Sequence, residues 1–302
     1  MLWDFFLRFI FFITFGYPIN LTLNKTTMKK SIFLFAAICL SSFFYISCSS
    51  NDDIVNQTDT SSIGASVLID ATNDMDIKTG LAVTTNNSST AKTTENVSGI
   101  CGTITLENSN QNSYPKIFII DYGTSGCANN QILKKGKLKI TLSGPIITTG
   151  SKMTIERIDY SINNLKLEGT IEYTNTTTVP TVPQFSRKVI NGKLTDITGR
   201  VYLNSGLVTV KQTAGVDTPF VLEDNVYEMP EGTHTITNDK GGTLTLTVQE
   251  TLIKKYSCEF ISKGKLKITG GSLNGVVDYG NLECDTKYTY IHENGTAYIL
   301  TM

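Results

Sequence analysis

The chain is poor in the residues on which most enzymes and cofactor proteins depend. Its 302 residues include only two histidines, His234 and His292, and one tryptophan, Trp3. Both histidines stand in Thr- or Glu-flanked strand-like segments, where a solvated strand face is the expected place for them. No G-x-S-x-G, H-E-x-x-H or phosphate-cradling glycine loop occurs, and no Ser/His/Asp spacing favours a triad. No Cys-x-x-Cys with a neighbouring histidine completes a metal-ligand set. The sequence therefore predicts no catalytic residue, no metal and no cofactor. An excess of charge is missing too. Lys+Arg 26 against Asp+Glu 27 lacks the basic balance of a nucleic-acid-binding protein. After Ile100 no stretch of twelve residues carries a helical period.

What is present begins with an address. Met28 to Asp53 reads MKKSIFLFAAICLSSFFYISCSSNDD: two lysines (Lys29, Lys30), an apolar run from Ser31 to Tyr45, then Ser47 before Cys48. That is the order of a secretory signal. The run is too short for a spanning helix, which needs about 20 apolar residues. Ile46-Ser47-Cys48 and the Ser49-Ser50-Asn51-Asp52-Asp53 run behind it resemble bacterial lipoproteins, and more narrowly surface lipoproteins of the Bacteroidota. Position −3 is Tyr45, where the common lipobox has Leu. The resemblance implies that Cys48 becomes an acylated (palmitate-type) terminus. It also implies a lipid anchor in the outer membrane at the cell surface; it is silent about activity, and a glycan or an envelope protein is expected as partner only from the function readings below. Residues 1–27 then read as a mis-called N-terminal extension, with Met28 the initiator, and 28–47 as the signal peptide.

Removing 1–47 leaves 255 residues with 22 basic and 26 acidic side chains, net charge −4. Residues 48–98 are rich in Ser, Thr, Asn and Asp, and such composition predicts a flexible tether. Within it, Ser66 to Asp70 is apolar enough at Val67-Leu68-Ile69 to dock onto the body. Residues 99–302 predict an all-β domain of antiparallel hairpins, built as a β-sandwich or a partly open elongated barrel. Threonine, at 43 residues, fits a pleated and half-buried surface. Leu138, Ile140 and Leu142 alternate with polar neighbours, as do Leu244, Leu246 and Val248. Lys134-Lys135 and the lysines after it read as a solvated strand face. Turns are expected at Asn163-Asn164, Asn191-Gly192, Asn204-Ser205-Gly206, Asn238 to Gly241 and Asn294-Gly295. Asn175 to Gln184, with Pro180 and Pro183, is the best internal divider.

Two pieces recur. KGKLKIT stands at Lys135–Thr141 and Lys263–Thr269; Asp-Tyr-Gly stands at Asp121–Gly123 and Asp278–Gly280, in the reverse order relative to the heptapeptide. The cysteines are spaced alike, 26 positions from Cys101 to Cys127 and from Cys258 to Cys284. An exported chain sits where disulfides persist, so the expected pairs are Cys101–Cys127 and Cys258–Cys284, each worth about 3–4 kcal/mol on the chain-entropy model. Asp121 and Asp278 could flank a glycosidic bond if they converged; the plainer reading is that each caps a glycine turn. Glu223-Asp224-Asn225 and Asn238-Asp239 offer oxygen ligands without a calcium-loop spacing. Most of the tyrosines read as core residues. Three functions compete: a non-catalytic surface lipoprotein with a binding or envelope-structural role, a glycan-directed accessory protein or enzyme using Asp121 and Asp278, and a carrier of an apolar ligand.

Overall fold

The computed structural model describes residues 59–86, 97, 99–107, 113–219 and 221–302. Cys48 and the whole signal segment lie outside these residues. The described chain is one α-helix, a short 3₁₀ turn at Gly271–Leu273 and one antiparallel sheet. Helix α1 (Ser61–Asn86) comes first. The strands are β1 (Thr103–Leu106), β2 (Lys116–Asp121), β3 (Cys127–Asn129), β4 (Ile132–Leu142), β5 (Lys152–Ile162), β6 (Leu165–Asn175) and β7 (Gln184–Thr195). They continue as β8 (Val201–Ala214), β9 (Val226–Asn238), β10 (Thr243–Lys255), β11 (Lys263–Thr269), β12 (Gly275–Asn281), β13 (Lys287–His292) and β14 (Ala297–Thr301). Each strand lies beside its sequence neighbours, except that β2 pairs directly with β4 and short β3 pairs only with β4. The sheet is all-β as expected. It is a single sheet that does not close into a barrel, and not a two-sheet sandwich.

Alternation places one face of each strand inward. Leu138, Ile140 and Leu142 are buried, as are Leu244 and Leu246, with Val248 half-buried. The long strands carry register shifts between Lys135 and Lys137, Glu156 and Tyr160, Glu168 and Thr170, and Val189 and Gly192. Bulges of this kind bend a strand and raise its twist, which lets the sheet curl. Gly136 sits in one of them at φ 78°, and a β-carbon there would overlap the Asp159 carbonyl.

The curled sheet wraps α1. Ile63, Val67, Ile69, Ile77, Leu81 and Val83 are buried, and so are Ser66, Asp70, Asn73 and Asp76. Polar residues of α1 bond to β4, β5, β7 and β9, as detailed below. The tether expected over 48–98 is therefore corrected for 61–86, which is a buried helix. Low hydrophobicity signals disorder only when the polar groups have no partners; here the strands supply them. The docking expected of Val67-Leu68-Ile69 is real but is part of the helix. At its start, Asp59 Oδ1 accepts the Ser61 amide at 3.1 Å and Arg200 Nη2 lies 3.3 Å from Asp59 Oδ2. An acid at a helix N-terminus also suits the helix dipole.

Three turn expectations hold: Asn163-Asn164 joins β5 to β6 with both φ positive, Asn238 to Gly241 joins β9 to β10, and Asn294-Gly295 joins β13 to β14. Two do not. Asn191-Gly192 is a bulge inside β7, and Asn204-Ser205-Gly206 lies in the middle of β8. Asn and Gly serve bulges for the same reason that they serve turns, a tolerance of unusual backbone angles. The expected divider at Asn175 to Gln184 is a loop between two paired strands of the same sheet.

Candidate functional site

Cys101 is bonded to Cys127, and Cys258 to Cys284, with Cα atoms 5.8 and 5.1 Å apart. These are the pairs that the equal spacing predicts. The first ties the approach to β1 onto β3. The second ties the loop after β10 to the loop after β12.

The two Asp-Tyr-Gly motifs build the same local structure. In both, the Asp stands opposite the third residue of the heptapeptide strand, Asp121 against Lys137 and Asp278 against Lys265. The lysine amines lie 2.8 and 3.5 Å from their carboxylates. Asp121 also accepts the Gly123 amide at 2.8 Å, and Asp278 the Gly280 amide at 2.9 Å. The Lys137 and Gly123 bonds hold the Asp121 carboxyl below the usual range. Both tyrosines turn inward and are buried. Eight strands intervene between β2 and β12 along the sheet, and no hydrogen bond or ion pair joins the two acids among the described residues. The turn-capping reading accounts for each of them.

The acidic loops do not gather. Glu223 pairs with Lys78 at 2.9 Å, Asp224 accepts the Thr218 hydroxyl, and Asn238 accepts the Lys240 and Gly242 amides. The tyrosines expected in the core are there: Tyr122, Tyr160, Tyr173, Tyr202, Tyr227, Tyr256, Tyr279, Tyr288 and Tyr290 are buried.

The chemistry that sequence reading missed lies along α1. Asp76 accepts Arg157 Nε at 2.9 Å and Nη2 at 2.7 Å on one oxygen, and the Tyr160 hydroxyl at 2.7 Å on the other. Asn73 Oδ1 takes Arg157 Nη2 as well, at 2.9 Å. Arg187 reaches two turns of the helix, Asp74 at 2.6 Å and Asp70 at 3.1 Å. Burial opposes the charge on Arg187, but Asp74 and Asp70 outweigh it and raise its pKa. Burial raises Asp74, whose second oxygen has no partner among the described residues. His234 is corrected from surface to interior. It is buried, its Nε2 lies 2.9 Å from Ser66 Oγ, and burial lowers its pKa. His292 keeps a near-surface position beside the Ser272 carbonyl. One signal could have found the interior charges. Arg187 alternates with Phe185 and Val189, Arg157 with Met153 and Ile155, and His234 with Ile236, so strict parity places all three inward.

A cavity of about 450 Å³ opens beside the C-terminal half of α1. Its polar lining includes Lys78, Thr79, Lys134, Glu223 and Glu259, with Asn129 and Asn130 beside them. Lys134, expected on a solvated face, points here instead. Its Nζ donates to Thr79 Oγ1 at 3.2 Å and lies 5.6 Å from the centre of the Tyr122 ring. Burial lowers its pKa. No carboxylate comes within ion-pair distance of it among the described residues. Lys78, by contrast, is engaged by the Tyr256 carbonyl at 2.7 Å and by Glu223.

No helix among the described residues is long and apolar enough to cross a membrane. No family model, curated protein or solved structure matches the chain.

Proposed function

We propose that the chain is an exported, lipid-anchored protein of the outer membrane, displayed at the cell surface, with a non-catalytic role in binding or envelope structure. The observation that carries this reading is the pair of disulfides at Cys101–Cys127 and Cys258–Cys284. Such bonds persist in oxidising compartments, which agrees with the export order of residues 28–47. The buried charges of the interior serve one another rather than a cleft, which favours a structural role for them. Mass spectrometry of the mature protein is the test. The expected result is a chain that begins at acylated Cys48; an intact, unlipidated peptide spanning Cys48 would exclude the anchor.

The binding half of the proposal draws on the cavity beside α1. The glycan-directed alternative rests on Asp121 and Asp278. Its test is Asp121→Asn with Asp278→Asn, which must abolish any glycan activity for the alternative to stand. The carrier alternative would need an enclosed apolar void, and the burial of Ile63, Val67, Ile77 and Leu81 of α1 speaks against one.

A further inference from the structure

We infer that the cavity beside α1 is a binding site for a small organic monocarboxylate with an apolar body, held through the Lys134 ammonium. The inference rests on the binding half of the reading above. Three features of the cavity carry it. Its volume of about 450 Å³ suits a small ligand. Its walls include Met75, Ile100, Ile132 and Leu222, a mixed apolar surface that would cover a hydrocarbon portion. Among the described residues Lys134 is the lining amine with no carboxylate in ion-pair contact, and its single side-chain hydrogen-bond partner is the neutral Thr79 hydroxyl; Asp76, which attracts it from farther off, is held by Arg157.

These features select the charge of the ligand. A half-buried ammonium with one weak neutral partner is under-satisfied, since it carries three donors. An anion supplies the acceptors, and a charge-assisted hydrogen bond is about twice as strong as a neutral one. A cation would meet Lys134 unfavourably. The ion pair of Lys78 with Glu223 leaves Lys134 as the amine with acceptors to gain, and Glu259 is exposed and solvated. A neutral apolar molecule would cover the walls but leave Lys134 as it is.

The test is isothermal titration calorimetry on the full chain in a neutral detergent, with 4-phenylbutyrate as probe and its neutral amide as control. The expected result is saturable binding of the acid, at least tenfold weaker binding of the amide, and at least tenfold weaker binding of the acid by Lys134→Gln. Ala82→Phe, which fills the cavity and keeps Lys134, is expected to abolish binding. The amide comparison needs no variant, so it stands even if Lys134→Gln fails to fold. Failure of the native chain to bind the acid, equal affinity for acid and amide, or binding that survives either substitution would each overturn the site. A chain acylated at Cys48 that binds nothing loses the cavity alone; a chain that binds the acid with Cys48 unmodified loses the anchor alone.

Discussion

Ion pairs occur on both faces of this sheet, and the two faces use them differently. Outside, Lys137–Asp121, Lys139–Glu156, Lys152–Glu172 and Lys193–Glu168 join neighbouring strands, with side chains roughly a quarter to a half exposed. Inside, Arg157–Asp76 and Arg187–Asp70/Asp74 join strands to the helix, with every partner 10% exposed or less. The outer pairs use lysine, a flexible point charge. The inner pairs use arginine, whose planar fork can satisfy two acceptors at once. Exposed pairs contribute little because water screens them. Buried pairs need not add net stability either, but removing one partner strands the other in a medium that cannot solvate it. The lesson is that the inner pairs specify where α1 sits along the sheet, while the outer ones decorate a surface.

Four measurements would break or sharpen that contrast. Asp76→Ala strands Arg157 and the Tyr160 hydroxyl, and should lower the unfolding free energy in urea by about 3–5 kcal/mol; a loss below 1 kcal/mol would mean that inner and outer pairs are alike. Replacing Cys258 and Cys284 together by alanine should cost about 3 kcal/mol, because the bond closes a loop of that length in the unfolded chain. The third uses Lys254, a buried amine that donates to the Cys258 carbonyl at 2.7 Å and that burial pushes down to about 8. Its folded pKa is below its unfolded one, so the unfolded chain holds the extra proton between the two values. Stability should then rise with pH above about 8, by about 2–3 kcal/mol towards pH 10. Lys254→Met should lose that rise, read as the difference between the two denaturation series; parallel series would show the amine to be hydrated. Smallest, Lys137→Ala and Lys193→Ala should each change stability by less than about 1 kcal/mol, and a larger loss in either would place an outer pair in the inner class.

The same contrast decides what was legible in the sequence. The outer face and the apolar positions could be read locally. Alternation in KGKLKIT placed Leu138 and Ile140 inward and Lys137 and Lys139 outward, and the structure agrees. The cysteine pairs were also legible, from their equal spacing. The helix was not. Its Asp70, Asn73, Asp74 and Asp76 look like solvent-facing residues until Arg157 and Arg187 are known to stand opposite. Those contacts cross 81 residues between Asp76 and Arg157, and 117 between Asp70 and Arg187. No window along the chain contains both partners. The candidate cavity failed for the same reason, because Lys134 meets Thr79 from 55 residues away.

The chain position of α1 also sets an order of events. The axle is synthesised before any part of the wheel that holds it, and its Ser66 waits for His234, 168 residues later. Rich in Thr, Asn and Asp, which are weak helix formers, that segment has little reason to coil on its own. Contacts of such long separation also form slowly. A polypeptide built this way closes around its helix only once the last of the partner strands has been made.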